Sequence, residues 1–168
     1  MEIKREWAMP NKNTFAIKPI NKLIVKYIDS EKIWIDPFAR TNTFDCITND
    51  LNQNFNTDYN LESLQFLQMF ESNTIDGVLF DPPYSPRQMK ECYQGIGLKL
   101  TQEQTQSSFY SKRKQKIAEL LKTNGICISF GWNSVGIGKK LGFEIIEILL
   151  VSHGSNHNDT ICTVERKK

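Results

Sequence analysis

Four acids in this chain follow apolar stretches at spacings that suit strand ends: Asp36, Asp50, Glu62 and Asp81. The last opens the tetrapeptide Asp81-Pro82-Pro83-Tyr84, directly after the apolar run IDGVLF at residues 75–80. Two consecutive prolines cannot donate to a sheet ladder, so a strand there must stop and leave the acid at its end. Read alone, the tetrapeptide is a strand-ending turn with an exposed aromatic. Its place after an apolar strand makes it equally a site of carboxylate chemistry. Carboxylates accept hydrogen bonds from hydroxyls and amines, so one polar ligand could touch all four acids. No nucleophile stands beside a base in a way that suggests covalent catalysis.

The elements that must hold these acids alternate. Pro19 suits a first helical position, and Ile20, Leu23, Ile24, Tyr27 and Ile28 then share one helical face. Residues 32–36 read as a short buried strand ended by Pro37. Weaker strand signals cover 46–49 and 57–61, and Leu61, Leu64, Leu67 and Phe70 suggest a helix. After the strand at 75–80, residues 85–105 are polar and read as irregular. A helix then carries Lys112, Arg113, Lys114 and Lys116 in its basic half and Ile117, Leu120 and Leu121 in its apolar half. Asn124-Gly125 reads as its stop, with a strand at 125–130. A glycine-rich short helix at 134–140 leads to a β-branched strand at 143–151, then to turn residues 153–159 and a strand at 160–164. Such alternation predicts one α/β domain over 1–168, a mainly parallel sheet with helices on both faces and an antiparallel C-terminal hairpin. Ligands bind beyond the carboxyl ends of such strands.

With Asp81-Pro82-Pro83-Tyr84 at a strand end, the chain resembles the S-adenosylmethionine-dependent DNA amino-methyltransferases, whose motif there is Asp/Asn/Ser-Pro-Pro-Tyr/Phe/Trp. The resemblance covers nearly the whole chain and implies a single-domain, Rossmann-like class I methyltransferase fold of the compact phage or mobile-element type. It implies methyl transfer from S-adenosylmethionine to the exocyclic amine of adenine in DNA, with Asp81, Pro82, Pro83 and Tyr84 catalytic. That amine is a poor nucleophile because its lone pair is delocalised into the ring. The Asp81 carboxylate and the Pro82 carbonyl would each accept one amine hydrogen and aim the lone pair at the methyl group, while Tyr84 stacks on the base. A base inside a duplex cannot reach such a pocket, so it must be flipped out or arrive single-stranded.

The same resemblance assigns the cofactor site. Residues 13–19, NTFAIKP, are similar to the N-terminal cofactor motif and bring in Thr14, Phe15, Ile17 and Lys18. Ile35-Asp36-Pro37-Phe38 is similar to the start of the main cofactor loop and brings in Asp36, Pro37, Phe38, Ala39 and Arg40. Asp50 falls where the family places an acid for the ribose hydroxyls, and Glu62 near a position that contacts the cofactor's adenine; both also read as solvated loop or cap residues. The resemblance counts Asp81 among the cofactor-binding residues as well as the catalytic ones. In place of the family's Gly-x-Gly turn this chain has Ala39-Arg40-Thr41-Asn42. Glycine there permits positive φ, which Asn42 tolerates. Either the loop takes another path, with Arg40 pairing with the cofactor carboxylate, or cofactor binding is weaker.

Weaker signals bound the partners. A net charge of +2 excludes a general DNA-coating role, so any nucleic-acid surface must be local. Lys112, Arg113, Lys114, Lys116, Arg87 and Lys90 could meet phosphates, with Phe109 and Tyr110 stacking on bases; a solvated helix face explains the same run. Residues 85–105 are too few for a recognition domain, so specificity would be low or supplied by a dimer mate or partner. Cys46, Cys92, Cys127 and Cys162 form no CxxC pair, which favours reduced, mostly buried thiols in a cytoplasmic protein without membrane segments. His153 and His157 lack a third ligand for a metal, and in the related enzymes their hairpin borders the target base, bringing in His157 or Asn158; Trp132 would line or fill the pocket. Cytosine amine, RNA and protein glutamine stand as other targets, the last disfavoured by Asp at position 81. A non-catalytic binding subunit on the same fold would explain the missing glycines.

Overall fold

The computed structural model describes residues 1–99, 101, 107–154 and 157–168. Seven strands form one sheet: β1 (Glu2–Trp7), β2 (Trp34–Asp36), β3 (Ile47–Thr48), β4 (Ile75–Phe80), β5 (Leu121–Gly131), β6 (Phe143–Ser152) and β7 (Thr160–Lys167). Their order is β1-β6-β7-β5-β4-β2-β3. Only β7 pairs antiparallel, with β5 and β6, so every other strand points the same way. The expected α/β architecture with its antiparallel C-terminal hairpin is therefore observed.

Strand alternation sorts the core into two layers. Trp34, Leu79, Ile128 and Phe130 face α1 (Lys18–Tyr27), whose Ile20, Leu23 and Ile24 cover them. Ile35, Val78, Phe80 and Cys127 face the other way, onto Phe66 and Leu67 of α2 (Ser63–Gln68) and Ile117 and Leu120 of α4 (Ser107–Leu120). Both faces of the central strands are dry, which is why IDGVLF reads as a continuous apolar run rather than an alternating one.

Gly77 shows how tight the first layer is. It lies opposite Trp34, and a Cβ there would stand 2.2 Å from the indole Cδ2. Gly77→Ala must displace the buried ring, and overpacking of this kind costs about 1–3 kcal/mol. Urea unfolding followed by Trp fluorescence checks this; an unchanged midpoint would mean that the indole yields freely.

Several expectations are corrected. Residues 85–105 are not wholly irregular: α3 (Pro86–Gly95) lies within them, capped by Ser85 Oγ accepting from Gln88 N at 3.2 Å, with Pro86 at its first position. Met89 and Tyr93, four residues apart, bury that helix against Phe109. Residues 100 and 102–105 of that stretch lie outside the described residues. The basic helix does not run to Asn124-Gly125. It stops at Leu120, and Leu121 already pairs with Ile75 in β5. Asn124, at φ 65°, sits in a register shift that returns at Gly77–Ile126, so its left-handed turn serves a bulge and not a helix end. The strand signal at 57–61 amounts to one bridge, Asn49–Tyr59. The glycine-rich helix near 134–140 reduces to a 3₁₀ turn, Lys139–Leu141. β1 was not foreseen.

Among the described residues no helix is long and apolar enough to cross a membrane. All four thiols are free: Cys127 and Cys162 are buried, as expected of most of them, while Cys46 is half-buried and Cys92 is exposed.

Candidate active site

Because all strands but β7 share a direction, their carboxyl ends line one edge of the sheet. β2 lies between β3 and β4, so the chain's crossovers diverge on either side of it, and a crevice opens there. A cleft of about 780 Å³ occupies this edge, within the range of small-molecule sites. Residues following six different strands line it: Lys12 after β1, Pro37 after β2, Asp50 after β3, Asp81 after β4, Trp132 after β5 and His153 after β6. A second cleft of about 260 Å³, between the Thr14–Ala16 turn and residues 38–44, shares Thr14, Phe38, Arg40 and Asp81 with it.

The tetrapeptide at the end of β4 is held from several sides. The Tyr110 hydroxyl donates to the Pro83 carbonyl at 2.5 Å, and Tyr84 N donates to Gln88 Oε1 at 2.7 Å. The Tyr84 hydroxyl donates to Asp81 Oδ1, and the Thr14 side chain bonds the same carboxylate. Tyr84 meets Trp132 edge to face, with centroids 5.7 Å apart. Pro82 lines the large cleft, and its carbonyl accepts no hydrogen bond among the described residues. Burial pushes the Asp81 carboxyl up, against the bonds from Tyr84 and Thr14 and the charge of Arg40.

The loop after β2 closes without glycine. Asp36 is fully buried and lines neither cleft: Oδ1 accepts from Phe38 N at 3.0 Å and Oδ2 from Asn42 Nδ2 at 2.8 Å. The left-handed residue is Arg40, at φ 47°, and not Asn42. Asn42 is committed elsewhere, since its Oδ1 also accepts from Phe44 N at 2.7 Å. The turn at 40 aims Arg40 N at Asp50 Oδ2, 3.0 Å away, and this contact offsets the roughly 1–2 kcal/mol that αL costs a residue with a Cβ. The Arg40 guanidinium donates to the Lys12 carbonyl at 3.2 Å and lies 5.7 Å from the Phe55 ring, bridging two walls of the cleft. Asn49, which the sequence did not single out, is fully buried and ties Pro37 to Leu61 through its side chain.

Burial pushes the Asp36 carboxyl up to about 8, against its two hydrogen bonds and with the charges of Asp81 and Asp50 adding to the rise. Between its ordinary value of 3.8 and about 8 the folded state keeps a proton that the unfolded state has lost. The folded state thus binds more protons, and this group's contribution to stability falls as pH rises through that window. The melting temperature is expected to drop over that range, and Asp36→Asn to flatten the slope. Parallel slopes in the two proteins would show Asp36 ionised in the fold.

The remaining assignments divide. Asp50 lines the large cleft while its two oxygens take Arg40 N and Asn52 N (2.8 Å), leaving acceptor sites free; burial raises its carboxyl. Glu62 lines the cleft but also caps α2, with Oε2 accepting from Leu64 N at 2.8 Å. Pro37 and Ile17 line the large cleft, Phe15 and Ala39 the smaller one. Lys18 is exposed at the start of α1 and lines neither.

The basic run is not one phosphate-binding surface. Arg113 is only 4% exposed: its guanidinium stacks 3.3 Å from the Phe109 centroid and bonds Glu62, Ser63 Oγ at 2.6 Å and the Phe109 carbonyl at 2.7 Å. Helical period turns this one cation inward while Lys112 stays exposed. Phe109 is buried as well and offers no face for stacking, while Tyr110 is half-buried with its hydroxyl on Pro83. Arg87 pairs with Glu91 at 2.9 Å and Lys116 with Glu119 at 3.2 Å. His153 is buried, with Nδ1 2.9 Å from the Ala8 carbonyl and Nε2 2.9 Å from Thr160 Oγ1. His157 and Asn158 line the cleft, while residues 155 and 156 of that turn lie outside the described residues.

No protein-family model matches the sequence, and comparison with curated proteins returns no match. Solved structures do match the fold. TrmN from Thermus thermophilus superposes with a TM-score of 0.60 at 14% identity, over 90% of this chain and 49% of that one. SMU.776, a putative methyltransferase complexed with SAH, gives 0.60 at 11% identity, over 89% and 48%. SMU.1697c from Streptococcus mutans, a putative methyltransferase in complex with SAH, gives 0.53 at 15% identity, over 86% and 93%. The chain spans about half the length of the first two. At these identities the likeness establishes the Rossmann-like fold.

Proposed function

We propose that this chain binds S-adenosylmethionine and transfers its methyl group to the exocyclic amine of adenine in DNA. One observation carries the reading: Asp81-Pro82-Pro83-Tyr84 stands at the carboxyl end of β4, in the wall of a cleft that Asp50 also lines, with the Pro82 carbonyl accepting no hydrogen bond among the described residues. The family resemblance of that tetrapeptide and two structural neighbours holding SAH support the same reading.

The residues present fit the cofactor. Asp50 retains acceptor sites for the ribose hydroxyls, and the smaller cleft, walled by Thr14, Phe15 and Ala39, suits the amino-acid end. When bound, the cofactor supplies an electrophilic methyl group on a positively charged sulfur. Asp81 and the Pro82 carbonyl then accept the two amine hydrogens, turn the nitrogen lone pair outward and offset the charge that grows on nitrogen. The Tyr84 hydroxyl rests on Asp81 Oδ1, which leaves acceptor sites on the carboxylate for the amine, and the Tyr84 ring, with Trp132 beside it, stacks on the base.

The test is incubation with labelled S-adenosylmethionine and, separately, single-stranded DNA, duplex DNA and RNA, followed by digestion and mass spectrometry of the nucleosides. Methyladenine in a DNA sample supports the reading. Label in RNA alone, or in methylcytosine, moves the target and keeps the chemistry. No transfer to any polymer, together with no calorimetric binding of the cofactor, would leave a binding subunit on a methyltransferase fold.

A further inference from the structure

β1 is the edge of the sheet, and all six of its side chains are exposed. Its odd-numbered positions, with those just beyond it, are Met1, Ile3, Arg5, Trp7 and Met9, which share one face of an extended chain. Four of them are large and apolar, at 78%, 60%, 64% and 69% exposure. On the adjoining strands Ile148, Leu150 and Ile161, in register with Ile3, Arg5 and each other, are only half-buried and prolong the apolar strip. The opposite face is closed: Glu147, 1% exposed, takes Lys4 at 3.2 Å, Lys26 at 2.6 Å and Tyr27 at 2.5 Å. The edge is not uniformly apolar: Glu2, Lys4, Arg5 and Glu6 carry charges, so only a strand that matches those charges can pair with it.

The backbone says which groups are open. Ala8 N donates to Ser152 O on β6, and alternate N–H groups of a strand point the same way. Those of Glu2, Lys4 and Glu6 therefore face β6, and those of Ile3, Arg5 and Trp7 face outward. Antiparallel pairing of this edge with itself about Arg5 makes Ile3–Trp7, Arg5–Arg5 and Trp7–Ile3 the hydrogen-bonded pairs. The same register sets Met1 against Met9 beyond the hydrogen-bonded Ile3–Trp7 pair, and Lys4 against Glu6, twice over, at the non-hydrogen-bonded positions where side chains approach closest. Shifting the pairing centre to residue 4 would set Lys4 against Lys4 and Glu2 against Glu6. The Arg5 pair on the axis is the one unfavourable contact, and each guanidinium is drawn back to its own Ser152 Oγ at 3.1 Å.

We infer that β1 is a homodimer interface, joining two copies through antiparallel β1–β1 pairing centred on Arg5 into a continuous sheet. The inference is independent of the methyl-transfer reading. Sedimentation equilibrium of the whole chain tests it, with twice the chain's mass expected for wild type. Arg5→Pro removes an outward N–H, leaves the pairing with β6 intact and is expected to halve the mass with unchanged circular dichroism. Should that variant not fold, Glu6→Lys serves. Glu6 is exposed and makes no side-chain hydrogen bond or ion pair among the described residues, and two Lys–Lys contacts should weaken dimerisation by roughly tenfold or more. A monomeric wild type, or a dimer indifferent to Glu6→Lys, overturns the interface.

Discussion

Replacing Asp81 by alanine is expected to lower kcat for methyl transfer about 100- to 1,000-fold, the range seen when one preorganised hydrogen-bonding group is removed from a developing charge. Cofactor affinity should change little, because Asp50 and the Thr14 wall remain. Asp81→Asn should fall between, since one of its two atoms still accepts while the other faces the amine as a donor. Tyr84 sharpens the test. Its hydroxyl rests on Asp81, so Tyr84→Phe frees that oxygen while keeping a stacking ring. Single-turnover rates separate these cases. An Asp81→Ala protein that methylates at the wild-type rate would remove the carboxylate from the chemistry and return the tetrapeptide to a strand-ending turn.

Replacing Arg113 by alanine is expected to cost about 3 kcal/mol of stability, the lower end for a broken buried pair, because Arg113 is buried but its partner Glu62 is partly exposed in the cleft wall. For a domain of this size that lowers the melting temperature by roughly 10 °C. The guanidinium lies on Phe109 and holds Glu62, which caps α2 at the rim of the cleft. Glu62→Ala should cost a comparable amount, and the double variant less than the sum, since each partner's loss includes the stranding of the other. Exposed Lys90→Ala should stay within about 0.5 kcal/mol. Thermal melts of the four proteins decide the matter. If Arg113→Ala melts like wild type but loses affinity for nucleic acid, the arginine belongs to a phosphate surface after all.

Both effects bear on one design feature. Side chains already spent on structure line the cleft, Glu62 on a helix cap and Arg40 on the Lys12 carbonyl, and others brace its walls without lining it, Asp36 on its own loop and Tyr110 on Pro83. Such commitments hold the acceptors, Asp50 and Asp81 with the Pro82 carbonyl, in fixed positions, and fixed acceptors are what an amine needs.

What the sequence determined by itself was local or periodic. Alternating strand and helix signals dictated the α/β class, since each amphipathic segment has one face to bury and the chain order leaves few ways to do it. Asp81-Pro82-Pro83-Tyr84 marked a strand end because prolines lack the N–H a ladder requires. Ser85-Pro86 followed by Met89 and Tyr93 carried the signal for α3, obscured by the polar stretch after it. What only the tertiary structure decided depended on distant partners. Arg113 looks like its lysine neighbours until Glu62 and Ser63, some fifty residues earlier, turn it inward. Arg40 takes the left-handed turn because Asp50 waits for its N–H, and Asn42 cannot because Asp36 holds its amide. β1 has no buried side of its own to write an apolar pattern; its strand exists because β6 offers an edge. Propensity and period act over a few residues, whereas the fate of a charge or an edge is set by whatever the fold brings against it.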